Sequence, residues 1–362
     1  MSTTATPSRS AAAGQSKADE LLISSDSHVI EDSDLWTSRV AAKFKDRAPK
    51  FPPRKAGTDS GFSAHDGGFD PKKRLDEAAV DGVRAEVLYP SLALTLFGLD
   101  DAALQEECFR VYNDWLVEYC QVSPDRLLGV ACLSAYNIEN SIKELERCRK
   151  AGMRGALVWQ VPHPDMPFTG THYERLWAAA QDMDMPISLH ILSGHGYAKK
   201  LFELSAMDGL RHSVLTKCYE AGNCMFDLIY SNVFERFPRL KFVMVENEIG
   251  WLPFVVEQWD RYYDRFKGQP DRAAPMKRHP SEYVEQNFYA SFFNDPAGAH
   301  LLARWGQNNC MWSNDFPHGN STWPNSRSVI ARDLGHLSTE VRRNVLSGTV
   351  ARLYGIDLAK LA

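Results

Sequence analysis

The sequence predicts an α/β protein, a (β/α)8 TIM barrel with insertions on its catalytic face. Three observations lead there. Eight short apolar runs recur along the 362 residues. Longer stretches with helical spacing separate them, and no GxGxxG follows any run, which sets aside a doubly wound open sheet.

Buried parallel strands read as continuous apolar runs because both faces are covered. The runs are LLISS (21–25), RAEVLYPS (84–91), LLGVACLS (127–134), GALVWQV (155–161), PISLHIL (186–192), KFVMVEN (241–247), FYASFF (288–293) and CMWSNDF (310–316). Helical spacing is evident in Glu106–Tyr119, Ile138–Ala151, Tyr173–Met183 and Ile249–Phe266. Asn137 and Ser338 suit N-caps, and Ala151-Gly152 suits a helix stop. Residues 1–20 read as a disordered Ser/Thr/Ala-rich tail, and 21–362 as one metal-dependent barrel domain. Residues 51–71, rich in Gly, Pro and Asp and including His65, form an insertion after the first strand. Residues 193–235 add a helical region between the fifth and sixth strands. In a barrel such insertions make lids and substrate walls.

Composition narrows the function. Apolar residues make up 44%, with 9 Trp, 18 Phe and 13 Tyr, enough for a large core. The 41 basic and 46 acidic residues leave a net charge of −5 with no long basic run, so nucleic acid is not expected as a partner. No apolar stretch approaches the ~18 residues needed to cross a bilayer. Seven cysteines without a CxxC pair, and an amino terminus without an apolar signal core, point to a cytoplasmic protein with reduced thiols. An aromatic stripe, Trp251, Val255, Trp259, Tyr262 and Phe266, suits packing on the barrel, with a homodimer face as the weaker reading. There is no P-loop and no GxSxG elbow.

Polar residues at the carboxyl ends of barrel strands point into the mouth. The first strand ends in Asp26-Ser27-His28-Val29-Ile30-Glu31, the fifth carries His190, the sixth ends in Glu246-Asn247-Glu248, and the eighth in Asn314-Asp315-Phe316-Pro317-His318. Alternation places Asp26 and His28 on one face. Four strands thus bring imidazole and carboxylate to one rim, the makings of a metal site. The expected ligands are Asp26, His28, Glu31, His190, Glu246, Asp315 and His318. His163, His195, Glu248 and Asn314 are candidates to support them or meet substrate. Lys199, Lys200 and Arg211 could face phosphates, although a solvated basic face explains them equally. Four carboxylates (Asp26, Glu31, Glu246, Asp315) would be balanced by two divalent ions. Imidazole with carboxylate suits iron or manganese at least as well as zinc.

The D-x-H of the first strand, the His of the fifth and the Asp of the eighth resemble the amidohydrolase-related metal-dependent barrels. So do the phrases FERFPRLKFVMVENEIGWLP (234–253) and MWSNDFPHGNSTWPNS (311–326). The likeness covers about residues 21–356. The hydrolases of that superfamily usually show H-x-H where Asp26 stands and His where Glu246 stands. No Lys or Glu on the fourth strand could bridge two zinc ions.

The carboxylate-rich pattern is similar to one branch, the TIM-barrel nonheme diiron monooxygenases of platensimycin and platencin biosynthesis. The resemblance implies an oxidoreductase of antibiotic biosynthesis with two Fe ions, Zn or Mn being the alternatives, and no catalytic residue apart from the ligands. It further implies O2, an external reductant and a bulky apolar terpenoid or acyl substrate carried as a CoA thioester. The alternative is a metal-dependent hydrolase or nonoxidative decarboxylase with Asp315 as general base.

Overall fold

A computed structural model describes residues 20–53, 65–195, 205–269 and 271–361. The expected tail up to residue 19, most of the Gly-rich insertion, and Lys199 and Lys200 lie outside the described residues; Glu20, the last residue of that expected tail, is described and bonded to Arg342. Eight parallel strands follow in chain order around one sheet: β1 (Leu22–His28), β2 (Val83–Tyr89), β3 (Leu127–Cys132), β4 (Gly155–Val161), β5 (Ile187–Gly194), β6 (Phe242–Val245), β7 (Phe288–Phe292) and β8 (Cys310–Trp312). β8 returns to β1 through main-chain bonds, His28 N–H to Phe316 O at 2.7 Å and Asp315 N–H to Asp26 O at 3.1 Å. With helices between the strands, this is the (β/α)8 barrel that the alternating runs predict.

Local chemistry sets the helix bounds. Asp70 accepts from the N–H groups of Lys72 and Lys73 ahead of the helix Pro71–Asp81, and Gly82 closes it at φ +78°. Asp101 caps Ala102–Cys120, Asn137 caps Ile138–Lys150, and Ser338 caps Thr339–Arg343. The predicted aromatic stripe shifts: in Leu252–Phe266 the buried side chains are Leu252, Val256 and Tyr263, while Trp251 and Trp259 pack partly against the core and Tyr262 is exposed. All seven cysteines are free thiols. Among the described residues no helix is long and apolar enough to cross a membrane.

Two features position the site. Inside the barrel, the Tyr89 hydroxyl meets Ser188 Oγ at 3.0 Å and the Tyr354 hydroxyl at 3.1 Å, a polar layer within the core. The chain between β5 and β6 forms the helices Ala206–Leu215 and Ala221–Tyr230, joined by a single π-helical turn, Thr216–Glu220. That turn faces the end of β6.

Candidate metal centre

β1 delivers Asp26 and His28, both fully buried, and β5 delivers His190, also fully buried. His28 Nδ1 lies 2.7 Å from Pro90 O, and His190 Nδ1 lies 2.7 Å from Ile191 O. A carbonyl can only accept, so each Nδ1 carries the proton and each neutral ring turns a bare Nε2 to the centre. His28 Nε2 stands 3.3 Å from His190 Nε2, 3.6 Å from Asp26 Oδ1, 3.5 Å from Asp315 Oδ1 and 4.0 Å from Glu246 Oε2. His190 Nε2 stands 3.8 Å from both Asp26 Oδ1 and Glu246 Oε2. Asp26, His28, His190 and Glu246 offer ligand atoms within 4.8 Å of one another, and so do His28, Glu246, Asp315 and His318.

The backbone is bent to achieve this. Glu246, Glu248 and Asp315 have φ of +59°, +55° and +57°, and Leu192 at the end of β5 has +65°. The left-handed region costs a non-glycine residue about 1 kcal/mol or more, and such residues gather at functional sites. Here they turn carboxylates inward from strand ends. Asn314 supports the bend: its Oδ1 accepts from Ser24 Oγ and Ser27 Oγ at 3.0 Å, and from Phe316 N at 3.2 Å, tying β1 to β8. Arg74 braces the same corner, bound to both Glu86 oxygens and to His28 O at 2.6 Å.

Electrostatically the cluster is under stress. Burial, then the neighbouring Asp315 and Glu246, push the Asp26 carboxyl well above the usual range. Burial, then Asp315, raise Glu246 to about 7, and burial raises Glu248 to about 7. Burial followed by His318 and His190 pushes His28 far down, and burial takes His190 down to about 3. Both Asp26 oxygens and Asp315 Oδ1 are buried without a hydrogen bond. Buried carboxylates without donors, facing bare imidazole nitrogens, fit a cation that supplies the missing positive charge. The nitrogen and oxygen donors suit manganese, iron or zinc.

The remaining expected residues divide. His318 belongs to the cluster, with Nδ1 3.0 Å from Asp315 Oδ1 and its ring stacked on His28 at 3.9 Å between centroids. Glu31 does not. Its carboxylate accepts from the N–H groups of Ser91 (3.3 Å), Leu92 (2.8 Å) and Ala93 (3.0 Å), and pins the loop after β2. Three carboxylates, and not four, therefore meet at the centre, and the charge argument for two ions loses its basis. His163 and His195 pair with each other, 4.1 Å between centroids, and His195 Nε2 meets Asp100 at 2.9 Å, apart from both clusters. His65 packs against Trp323 and Phe316. Glu248 lies at the rim, its Oε2 accepting from Phe293 N at 3.3 Å.

Sequence reasoning missed Lys217. It sits on the π turn, donates to Glu246 O at 3.0 Å, and stands 3.8 Å from Glu246 Oε1 and 3.7 Å from Glu248 Oε1. No local motif marks it, since it reaches the site from within an insertion.

A barrel with imidazole and carboxylate converging at its open end defines a metal-dependent class. The amidohydrolase family model matches residues 34–356, and the chain belongs to that family. It is similar to the gamma-resorcylate decarboxylase of Rhizobium sp., at 26% identity over 244 residues, covering 63% of this chain and 72% of that one. In fold it is similar to the 5-carboxyvanillate decarboxylase of Sphingomonas paucimobilis (TM-score 0.73, 19% identity, 94% of this chain and 100% of that one). It is also similar to a dihydroxybenzoic acid decarboxylase of Polaromonas sp. with bound manganese and the inhibitor 2-nitroresorcinol (TM-score 0.69, 20% identity, 94% and 99%). At these identities the structural likeness is one of fold.

These findings overturn the oxygenase expectation. The relatives are decarboxylases, so the assignment to oxidoreductases, to the diiron monooxygenase branch and to antibiotic biosynthesis is withdrawn. The two irons, O2, reductant and CoA thioester expected with it have no support here. The source of the error is the resemblance: a carboxylate-rich pattern was matched to the oxygenase branch, and one of its four carboxylates, Glu31, is engaged by backbone N–H groups of the loop after β2.

Proposed function

We propose that the protein is a divalent-metal-dependent, nonoxidative decarboxylase of a small aromatic carboxylic acid. The observation that carries this reading is the set of unbonded Asp26 and Asp315 oxygens around the Nε2 atoms of His28 and His190. The decarboxylases to which the chain is similar support the choice of reaction.

Asp26, His28, His190 and Asp315 would hold the cation, which when bound supplies a Lewis acid to anchor anionic oxygens of the substrate. The carbonyls of Pro90 and Ile191 keep both imidazoles in the ligating tautomer. Glu246 lies at the open side of the cluster and is 17% exposed at its side chain, within reach of a bound ring and of solvent. In its acid form it is the proton carrier of this account. The proton passes from the Glu246 carboxyl to the ring carbon bearing the carboxylate, and a C–H bond forms there. The C–C bond then breaks, its electron pair returns to the ring, and carbon dioxide departs. Water returns a proton to Glu246. No electron acceptor or donor is needed.

The test is turnover of gamma-resorcylate and 5-carboxyvanillate by manganese-loaded protein in D2O. Carbon dioxide release with one deuterium on the vacated ring carbon is expected. Metal-replete protein that leaves these and related hydroxybenzoic acids intact would refute the proposal.

A further inference from the structure

We propose that Lys217 is the second anion anchor of this site, so that it prefers acids that carry a further ionised oxygen besides the carboxylate that leaves. The inference rests on the decarboxylase reading for the reaction, but its geometry stands on different atoms.

Lys217 lies on the π turn Thr216–Glu220. Such turns insert a residue into a helix, redirect the side chains that follow, and are frequent at functional sites. The redirected side chain reaches the mouth of the barrel beside the end of β6. Its side chain is 27% exposed, so it is neither buried in the core nor free on the surface. An ammonium carries three donors. Among the described residues Nζ makes one hydrogen bond, to Glu246 O at 3.0 Å.

A lysine whose task is only to neutralise nearby acids closes on one of them. Lys241 does so with Asp184, and Lys267 with Asp264, each at 2.8 Å. Lys217 instead forms long ion pairs with Glu246 and Glu248, at 3.8 and 3.7 Å, and is hydrogen-bonded to neither carboxylate. The main-chain carbonyl holds it there, and donors remain for an incoming group. The other cation beside the cluster, Arg74, is fully buried and engaged by Glu86 and His28 O. Of these two cations beside the cluster, Lys217 is therefore the one an incoming anion can meet. The Phe293 ring lies 5.4 Å from Nζ and adds an apolar, π-rich surface beside it, suited to an aromatic acid. A ring anchored by one oxygen at the cation and by another at Lys217 is fixed at two points, which orients the carbon to be protonated.

The experiment is calorimetric titration of manganese-loaded wild type, K217M and K217R with two ligands. One is 5-carboxyvanillate, a dicarboxylate. The other is 2-hydroxy-3-methoxybenzoate, the same ring without the second carboxylate. Wild type is expected to prefer the diacid. K217M should bind the diacid roughly 10- to 100-fold more weakly, the worth of one charge-assisted hydrogen bond, and the monoacid within about 3-fold of wild type. K217R should keep most of the preference, and K217Q replaces K217M if that variant does not fold. A wild type without diacid preference would overturn the proposal. Equal losses on both ligands, or loss of manganese from the neutral variants, would also do so, because Lys217 would then be a support for the fold or the cation. Carbon dioxide release is read separately. Diacid preference without release would leave the anchor standing and sink the reaction, and release without preference would do the reverse.

Discussion

His28 and His190 point their Nε2 atoms at each other across 3.3 Å, while a main-chain carbonyl holds each Nδ1 at 2.7 Å. Both rings are neutral, because burial lowers their proton affinity, so two lone pairs face each other. Without a cation this contact is repulsive, and it is flanked by Asp26 oxygens that no donor satisfies. A divalent ion held by these residues would offset each of these costs. The folded protein without metal therefore carries stored electrostatic strain at its centre.

Metal should accordingly stabilise the fold. Manganese at about 100 times its Kd adds about 2.7 kcal/mol, a rise of several degrees in Tm for a chain of this size. Differential scanning calorimetry with manganese and then with a chelator is the check. H190A should lose most of the rise, and a Tm indifferent to manganese would argue against a site here.

Glu246 supplies a pH signature in the metal-free protein. Its carboxyl is raised from 4.5 to about 7 in the folded state. A group raised in this way contributes stability that is full below its unfolded value and is lost as pH climbs through its folded value. Wild type should thus lose this contribution between about pH 4.5 and 7, and E246Q should not. Urea denaturation of the metal-free proteins should show E246Q gaining on wild type by on the order of 2–3 kcal/mol from pH 4.5 to 8. A difference independent of pH would contradict the assignment.

Glu31 should behave as a structural acid. E31A leaves three main-chain N–H groups of the loop after β2 without their acceptor. A destabilisation of about 2–4 kcal/mol in chemical denaturation is expected. Manganese bound per folded molecule should stay unchanged by elemental analysis. A metal content that falls in proportion to Glu31 removal would restore it to the ligand set.

The barrel was legible because its strands are buried on both faces and read as unbroken apolar runs, so all eight appear where the composition places them. Asn137 and Ser338 cap helices as their positions predict. The cluster was legible where a side chain sits on a strand, as with Asp26, His28 and His190, since alternation decides the face. It was less so past the strand ends. There the backbone turns through φ above +50° at Glu246 and Asp315, and no sequence period says where a side chain then points. Glu31 shows the consequence: two turns of chain could send it to the cation or to the β2 loop, and the backbone N–H groups that capture it lie 60 residues away. Lys217 was invisible for a related reason, because a π turn interrupts the helical period that would have assigned its face.

The sharpest test of the whole account is carbon dioxide release from carboxyl-labelled gamma-resorcylate by manganese-loaded protein, measured under nitrogen and in air. Equal rates in the two atmospheres, abolished by D315N and by chelation, are the expected result. A reaction that proceeds only in air, or release that survives loss of the metal, would contradict it.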